Sequence, residues 1–264
     1  MFTRAVVLAL SCGALAFGCG TEPQAGSEEE TQQIIDNLVQ AGFPKSEIQV
    51  FDGKVFTGLD AEVTLEASQE MLTSELGTHE QYRTTNLVGT NITNICVNGA
   101  AFVNNAKFND ALNRAITNYN NEGLRWRMTR TTGGTAGCSA TITARRQAGV
   151  TGGSSGFPSG GRPFNTINIG TGLDSATFSV DTVEHVITHE LGHCIGFRHS
   201  DYYNRAISCG GAVSNEGASN VGAILIPGTP STAVVGGSIM NSCFRSTESG
   251  EWTSSDVTAL NYLY

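Results

Sequence analysis

An α+β domain, a mixed twisted sheet with helices packed against it, is the fold class this sequence predicts. Two observations lead there. Between Asn86 and the C-terminus, strand-like and helix-like stretches follow one another as strand, helix, strand, strand, loop, strand, helix. The last of these helices, Asp181 to Ile195, carries apolar residues at helical spacing that press it into a core. The length of 264 residues allows one or two domains with a core large enough for stability.

The elements follow in order. Ile92–Val97 reads as a short strand, and Phe102–Asn121 as a helix with Phe102, Ala106, Leu112, Ala115, Ile116 and Tyr119 on its apolar side. Leu124–Arg130 alternates Leu124, Trp126 and Met128 against Arg125, Arg127 and Thr129, a half-buried strand. Ala140–Ala144 continues the sheet with Ile142 inward, and Gly149–Pro163 is a Gly/Ser/Pro loop. Phe164–Ile169 is the next strand, with Pro163 at its start and alternating polar residues that suit a sheet edge. Asp181 with Glu184 has capping-box spacing at the start of the following helix. A final helix occupies Glu251–Tyr264, started by Ser254 or Ser255, with Val257, Leu260 and Leu263 inward.

The helix at Asp181 contains HELGHCIGFRH, a match to H-E-x-x-H-x-x-G-x-x-H at every fixed position. His189 and His193, four apart, project from one helical face and can grip one metal ion. Glu190 points to the open side of that ion, where it can polarise a water. Gly196 supplies a left-handed turn, and the chain doubles back so that His199 closes a third position. Three imidazoles plus a water is the open kind of zinc site. Asp201 is the rival third ligand. His185, one turn before His189, has Val186 where a base belongs, so it reads as a packed residue or one supporting the ligands.

Charge divides the chain. Thirteen of its 24 acidic residues lie between Gly20 and Thr85, against Lys45, Lys54 and Arg83, whereas the chain from Asn86 onward is balanced. Met1–Gly18 reads as an export signal, with Arg4 ahead of the apolar run Ala5–Phe17. Its Ala-Phe-Gly-Cys ending is lipobox-like, which makes Cys19 the lipidated residue, residues 19–30 a tether and the location a bacterial cell envelope. An ordinary cleaved signal leading to secretion is the rival, and Cys12 a poorer lipidation site. Residues 31–85 form an acidic segment with a short amphipathic helix at Thr31–Gly42 and strand-like stretches over Val50–Leu65. We take it as a spacer or accessory subdomain. Its rival reading is an inhibitory propiece that sets a carboxylate of Asp52, Asp60 or Glu62 in the water position on zinc. The segment has no cysteine, so a thiolate latch within it is excluded.

Other chemistries find little support. The glycine clusters at Gly133–Gly137 and Gly149–Gly161 lack Gly-Lys-Ser/Thr and open no helix, so they are loops, not phosphate cradles. Basic residues form no stripe, which argues against nucleic acid as a partner. Of the cysteines beyond Cys12 and Cys19, Cys209 with Cys243 and Cys96 with Cys138 are the preferred pairs. Cys194 pairs instead with Cys209 or stays buried and free.

The long motif, the strand–helix order before it and the later Ser-Ile-Met sequence resemble the metzincin clan of zinc peptidases. More narrowly, Thr182–Cys209 (TVEHVITHELGHCIGFRHSDYYNRAISC), Asn215–Pro230 (NEGASNVGAILIPGTP) and Ser238–Phe244 (SIMNSCF) resemble the bacterial dual-action HEIGH metallopeptidase family, with Leu191 in place of its Ile. The resemblance covers approximately Glu80–Tyr264. It implies a metzincin-like catalytic domain over 86–264 and one catalytic Zn2+ held by His189, His193 and His199. Glu190 becomes the general base and Met240 the floor of a Met-turn. The implied activity is endopeptidase hydrolysis of protein or peptide substrates through a zinc-held water. Ser242 stands where some clan members place a zinc-reaching tyrosine, so no tyrosine switch is implied. Substrate is expected to pair with Phe164–Ile169, and Tyr202–Gly237, with Ile224, Leu225 and Ile226, to wall a pocket that favours apolar side chains. A catalytically silent zinc-binding surface lipoprotein, acting as a peptide- or protein-binding module, is the alternative.

Overall fold

A computed structural model describes residues 28–72, 82–217, 223–230 and 232–264. The export signal at Met1–Gly18 and the proposed lipid site Cys19 lie outside the described residues. Among the described residues, no helix is long and apolar enough to cross a membrane.

Eight strands form one mixed sheet in the order β1-β2-β3-β8-β9-β7-β5-β6. From the acidic segment come β1 (Gln49–Phe51), β2 (Lys54–Thr57) and β3 (Ala61–Val63). The remainder are β5 (Asn94–Asn98), β6 (Arg127–Thr131), β7 (Ala140–Gln147), β8 (Gly153–Gly156) and β9 (Thr166–Gly170). A separate two-stranded ribbon pairs β4 (Tyr82–Arg83) with β10 (Ile224–Leu225). Among the described residues six α-helices accompany the strands: α1 (Glu28–Gln40), α2 (Leu65–Met71), α3 (Ala106–Asn121), α4 (Val180–Cys194), α5 (Ala206–Cys209) and α6 (Ser254–Leu263). The expected α+β, metzincin-like arrangement is the one observed.

The central pairings β5–β6, β5–β7 and β7–β9 are parallel, and β8 runs antiparallel to β9. This corrects two expectations. Strand β9 is not an edge, because β8 flanks it. That flanking strand is Gly-Ser-Ser-Gly, inside a stretch that reads as loop because it has no β-branched or aromatic residue to announce a strand. On the other side of β8 lies β3, in parallel register Ala61↔Ser155 and Glu62↔Gly156. Strands β1 and β2 are a hairpin turned by Asp52 and Gly53, both at positive φ (51° and 72°), as a two-residue turn requires.

Among the described residues two main hydrophobic cores result, with a small third cluster of Tyr82, Tyr202 and Ala223. The larger gathers Ile95, Leu112, Tyr119, Met128, Ile142, Ile167 and Ile187, with Met240 and Leu260 from the C-terminal part. The smaller belongs to the acidic segment: Leu38, Phe43, Val55, Val63 and Met71, joined from outside the segment by Phe157. On α3, Ala106 is exposed and Phe108 and Ala111 fill the inner face instead. Cys96–Cys138 and Cys209–Cys243 are disulfides, and Cys194 is buried and free.

Helix α4 is the central post. Every residue from Thr182 to Cys194 is buried, against α3 on one side and β8 and β9 on the other. Its N-cap is Ser179, whose hydroxyl accepts from the Thr182 amide at 3.1 Å, a bond worth about 1 kcal/mol. Asp181 lies inside the first turn and pairs with Arg114 at 3.0 Å, so the expected capping box of Asp181 with Glu184 is not formed and the N-cap lies two residues upstream. The helix ends as a Schellman motif: the Phe197 amide donates to Gly192 O (3.0 Å) and the Gly196 amide to His193 O (2.9 Å). Gly196 has φ 110°, and a Cβ there would lie 2.5 Å from Asn86 O, so position 196 demands glycine twice over. Helix α6 is capped by Thr253 in a capping box with Asp256, not by either serine.

Candidate metal centre

The backbone turn at Gly196 brings His199 back over the two helical histidines. His199 Nε2 lies 3.2 Å from His193 Nε2 and 3.2 Å from His189 Nε2. In each ring the other nitrogen faces an acceptor. His189 Nδ1 is 2.8 Å from Ile239 O, His193 Nδ1 is 2.8 Å from Phe197 O, and His199 Nδ1 is 2.7 Å from a Glu216 carboxylate oxygen. Carbonyls and carboxylates only accept, so each Nδ1 carries a proton and each Nε2 is the nitrogen that can give its lone pair to a metal ion. Three Nε2 atoms converging on one point can share a single metal ion. Tetrahedral nitrogens at about 2.0–2.1 Å from zinc are themselves about 3.3 Å apart, close to the spacing seen here. The residues fit a zinc-sized ion.

A fourth donor joins them. Asp60 of the acidic segment places carboxylate oxygens 3.6 Å from His189 Nε2, 3.5 Å from His193 Nε2 and 3.2 Å from His199 Nε2. Asp60, His189, His193 and His199 are the one group of potential metal donors among the described residues. Of the other two carboxylates considered, Asp52 turns the exposed β1–β2 hairpin and Glu62 pairs with Lys54 at 2.7 Å. Asp201 is also excluded from the cluster. It is fully buried elsewhere, accepting from the hydroxyls of Ser208 (2.6 Å) and Ser242 (2.7 Å), and so ties the chain after the third histidine to the chain after Met240.

Glu190 stands beside the cluster without joining it. Its carboxylate accepts from Ser155 Oγ of β8 at 2.8 Å, and Gly153 leaves room for it: a Cβ there would lie 2.4 Å from Glu190 Oε1. Burial, reinforced by the Asp60 charge, pushes the Glu190 carboxyl well above the usual carboxylate range. Burial also pushes Asp60 upward, but the charge of His199 and hydrogen bonds from His189 and His199 outweigh it, leaving the group strongly acidic. For His199, burial opposes the charged form, yet Asp60 and Glu216 together raise its pKa well above the ordinary value. Burial lowers His193 to about 3.

Met240 packs beneath the helix, where a Cβ on Gly192 would lie 2.6 Å from its sulfur, and its carbonyl accepts from the Ser200 amide at 2.7 Å. The turn that carries it is pinned from α6: Asp256 accepts from Ser238 Oγ (2.6 Å) and the Ile239 amide (3.0 Å). Ile239 in turn orients His189, so the C-terminal helix reaches the metal site through one carbonyl. The family profile of the dual-action HEIGH metallo-peptidase matches residues 55–264.

The chain belongs to that family. This HEIGH metallo-peptidase is therefore a metal-dependent hydrolase of protein or peptide substrates, and its family match starts early enough to include most of β2, all of β3 and Asp60. A search of curated proteins finds no match.

Sequence reasoning missed Glu216 altogether. Its carboxylate holds His199, and it also takes an ion pair from Arg198 at 3.2 Å, both partners being almost fully buried. The only signal available was general: a ligating imidazole needs an acceptor on its far nitrogen. A cavity of about 250 Å³ adjoins the cluster, walled by Leu59, Thr151, His185, Val186, Ser242 and Phe244. Ile224 and Leu225 instead pair with β4, and Ile226 lies in the main core, so the expected apolar wall is elsewhere. His185 is a packed residue on this wall, its Nδ1 3.0 Å from Ser249 O.

Proposed function

We propose that this HEIGH metallo-peptidase is a zinc-dependent endopeptidase that uses Glu190 as its proton carrier, with His189, His193 and His199 holding the ion. The observation that carries the reading is the convergence of three Nε2 atoms next to a carboxylate, Glu190, that does not join them. When bound there, zinc supplies Lewis-acid polarisation of the scissile carbonyl and of the attacking water. Glu190 accepts the proton that water loses and delivers it to the leaving amine, so one group serves as base and then acid. Ser155 Oγ holds that carboxylate in place through its 2.8 Å bond. Glycine at 153 lets Glu190 approach β8 closely, and β8 is the strand along which an extended peptide adds once β3 is off its edge. An extended substrate running past the cluster in both directions is what an endopeptidase needs. The adjoining cavity, with Leu59, Val186 and Phe244 among its walls, receives a side chain next to the cleaved bond.

The presence of a fourth protein donor, Asp60, favours a second reading, because four protein donors make a closed metal site. On that reading the protein is a silent zinc-binding module. Metal analysis and cleavage of an unfolded protein separate the two. The endopeptidase reading expects one zinc per chain, cleavage by the Asp60→Asn variant, and loss of cleavage with zinc retained when Glu190→Gln is added. Zinc-loaded protein that cleaves nothing, with Asp60 present or replaced, establishes the module instead. For location, we propose export through residues 1–18 and lipidation at Cys19, which fatty-acid labelling of wild type against Cys19→Ser checks.

A further inference from the structure

We propose that residues 28–72 are a built-in inhibitory segment, which closes the metal site with the Asp60 carboxylate and covers the substrate-binding edge of β8 with β3. The inference rests on the endopeptidase reading and adds its regulation.

Four observations converge. The first is coordinative: Asp60 reaches all three Nε2 atoms within 3.6 Å, which places its oxygens where a water must sit for hydrolysis to begin. The second is steric and concerns the sheet. Without β1–β3, the order β8-β9-β7-β5-β6 leaves β8 as an open edge beside Glu190. With them, the Ser155 amide donates to Asp60 O at 2.9 Å and the Phe157 amide to Glu62 O at 3.3 Å. Those are the backbone donors that an added substrate strand requires. The third is the pocket: Leu59 forms part of the wall of the cavity next to Glu190.

The fourth concerns how the segment is built. It has its own small core, to which the remainder of the chain contributes Phe157, whose ring also meets His193 edge-on at 5.7 Å. A body with a separate core can leave its neighbour without dismantling the neighbour's interior. The stretch that enters the site also carries local strain. Leu59 sits at φ 84°, unusual for a residue with a branched side chain, and a Cβ on Gly58 (φ 65°) would lie 3.0 Å from Glu216 and 3.1 Å from His199. Strain of this kind persists where surrounding contacts impose a conformation, and here the imposed conformation delivers one carboxylate to the three histidines.

Rival explanations make a different prediction. If the segment only buttresses the domain, removing the Asp60 carboxylate lowers activity or leaves it alone. If it inhibits, the same change weakens zinc binding, because a donor is gone, yet raises turnover, because the position is free. Opposite movements of affinity and activity are the signature.

The experiment compares wild type with Asp60→Asn and Asp60→Ala in the exported chain, each checked for cooperative thermal unfolding and for zinc content. Three quantities are read: cleavage of an unfolded protein, zinc loss to EDTA, and affinity for acetohydroxamate, a small zinc chelator that needs the free position. Inhibition predicts cleavage raised about tenfold or more, the change expected if the open state is at most about a tenth populated in wild type. It also predicts faster zinc loss and tighter acetohydroxamate binding in both variants. Equal cleavage and equal acetohydroxamate affinity, with one zinc in each protein, overturn the inhibitory segment and leave the endopeptidase reading standing. Tighter acetohydroxamate binding without any cleavage, even after limited proteolysis has removed residues 28–72 and with them the β3 cover on β8, supports the cover over the metal and overturns the endopeptidase reading.

Discussion

Glu216→Gln is the substitution that tests how the third histidine is held. Glu216 accepts from His199 Nδ1 at 2.7 Å and from Arg198 Nη2 at 3.2 Å, with Ser242 Oγ 3.4 Å away. Glutamine keeps the volume and one acceptor oxygen but removes the charge. His199 loses the partner that makes its Nε2 more basic, and outer partners of this kind contribute about 10–100-fold to metal affinity. That range is about 1.4–2.8 kcal/mol of zinc binding. A second cost falls on folding, because Arg198 is 1% exposed and keeps as partners the Gly217 carbonyl at 3.2 Å and the Phe43 ring at 4.7 Å. Breaking a buried pair costs about 3–5 kcal/mol when no acceptor is left. The amide oxygen of glutamine accepts in its place, so the apo-protein should lose less than that. The assay is a zinc titration against a competing fluorescent chelator, run beside thermal unfolding of the metal-free form. A zinc affinity within twofold of wild type refutes the argument, and a fall in unfolding temperature alone assigns Glu216 to Arg198 and not to the metal.

Two further substitutions test other parts of the reading. Gly153→Ala puts a methyl 2.4 Å from Glu190 Oε1 and 2.7 Å from its Cγ, so the side chain must move. Measured in the Asp60→Asn background, cleavage should drop by about 10–100-fold with zinc content unchanged; unaltered cleavage means Glu190 has no need of its present position. Glu184→Gln tests a buried carboxyl away from the metal. Burial, then the Glu251 charge, raises Glu184 from 4.5 to about 7, while Asn118 donates to it at 2.9 Å. The folded state thus binds this proton more tightly than the unfolded one. Its stabilisation is complete below about pH 4.5 and is lost as pH rises toward 7, by at most about 3 kcal/mol. Glutamine mimics the neutral acid, so urea unfolding from pH 4.5 to 8 should show a smaller decline in stability for the variant, and parallel curves exclude Glu184 as its source.

How much of this was legible in the letters depends on where each residue's constraint originates. Within the motif the constraint is local: helical spacing sets His189 and His193 on one face, and a left-handed glycine returns the chain for His199. Those residues meet as read, and Met240 lies beneath them. Both expected disulfides are present, since each joins segments whose proximity follows from the order of elements. What escaped depends on tertiary contact. Strand β8 owes its conformation to neighbours on both sides and to the closeness of Glu190, a role that selects small residues and erases the strand signal. Glu216 lies 17 residues beyond His199 with no periodicity to mark it. Asp60 was one of three carboxylates that could reach the ion, and choosing among them required the β2–β3 turn, whose strained Leu59 no propensity foretells.

The contacts also connect the acidic segment to the site by a second route, one that does not pass through Asp60. Phe43 of that segment lies under the Arg198 guanidinium, Arg198 pairs with Glu216, and Glu216 holds His199. Glu47 extends the same contact surface by pairing with Arg205 at 2.7 Å and accepting from Ser214 at 3.0 Å. The segment thus blocks the ion's fourth position while bracing the arm that carries its third ligand. Displacing the whole segment and deleting one carboxylate are therefore different perturbations. Replacing Asp60 alone opens the fourth position and leaves Phe43 and Glu47 in place. Removing the segment also takes the Phe43 ring from Arg198, which keeps Tyr202 and Glu216, and Glu47 from Arg205, which keeps Ser214 and Glu216. Because coupling between the two routes runs through His199, the two effects on zinc binding should not add. The arm from Arg198 to Glu216 is then held by its own ion pair, by the Tyr202 ring beside Arg198 and by the Asp201 bonds to Ser208 and Ser242, and these are the contacts on which an uncovered enzyme depends.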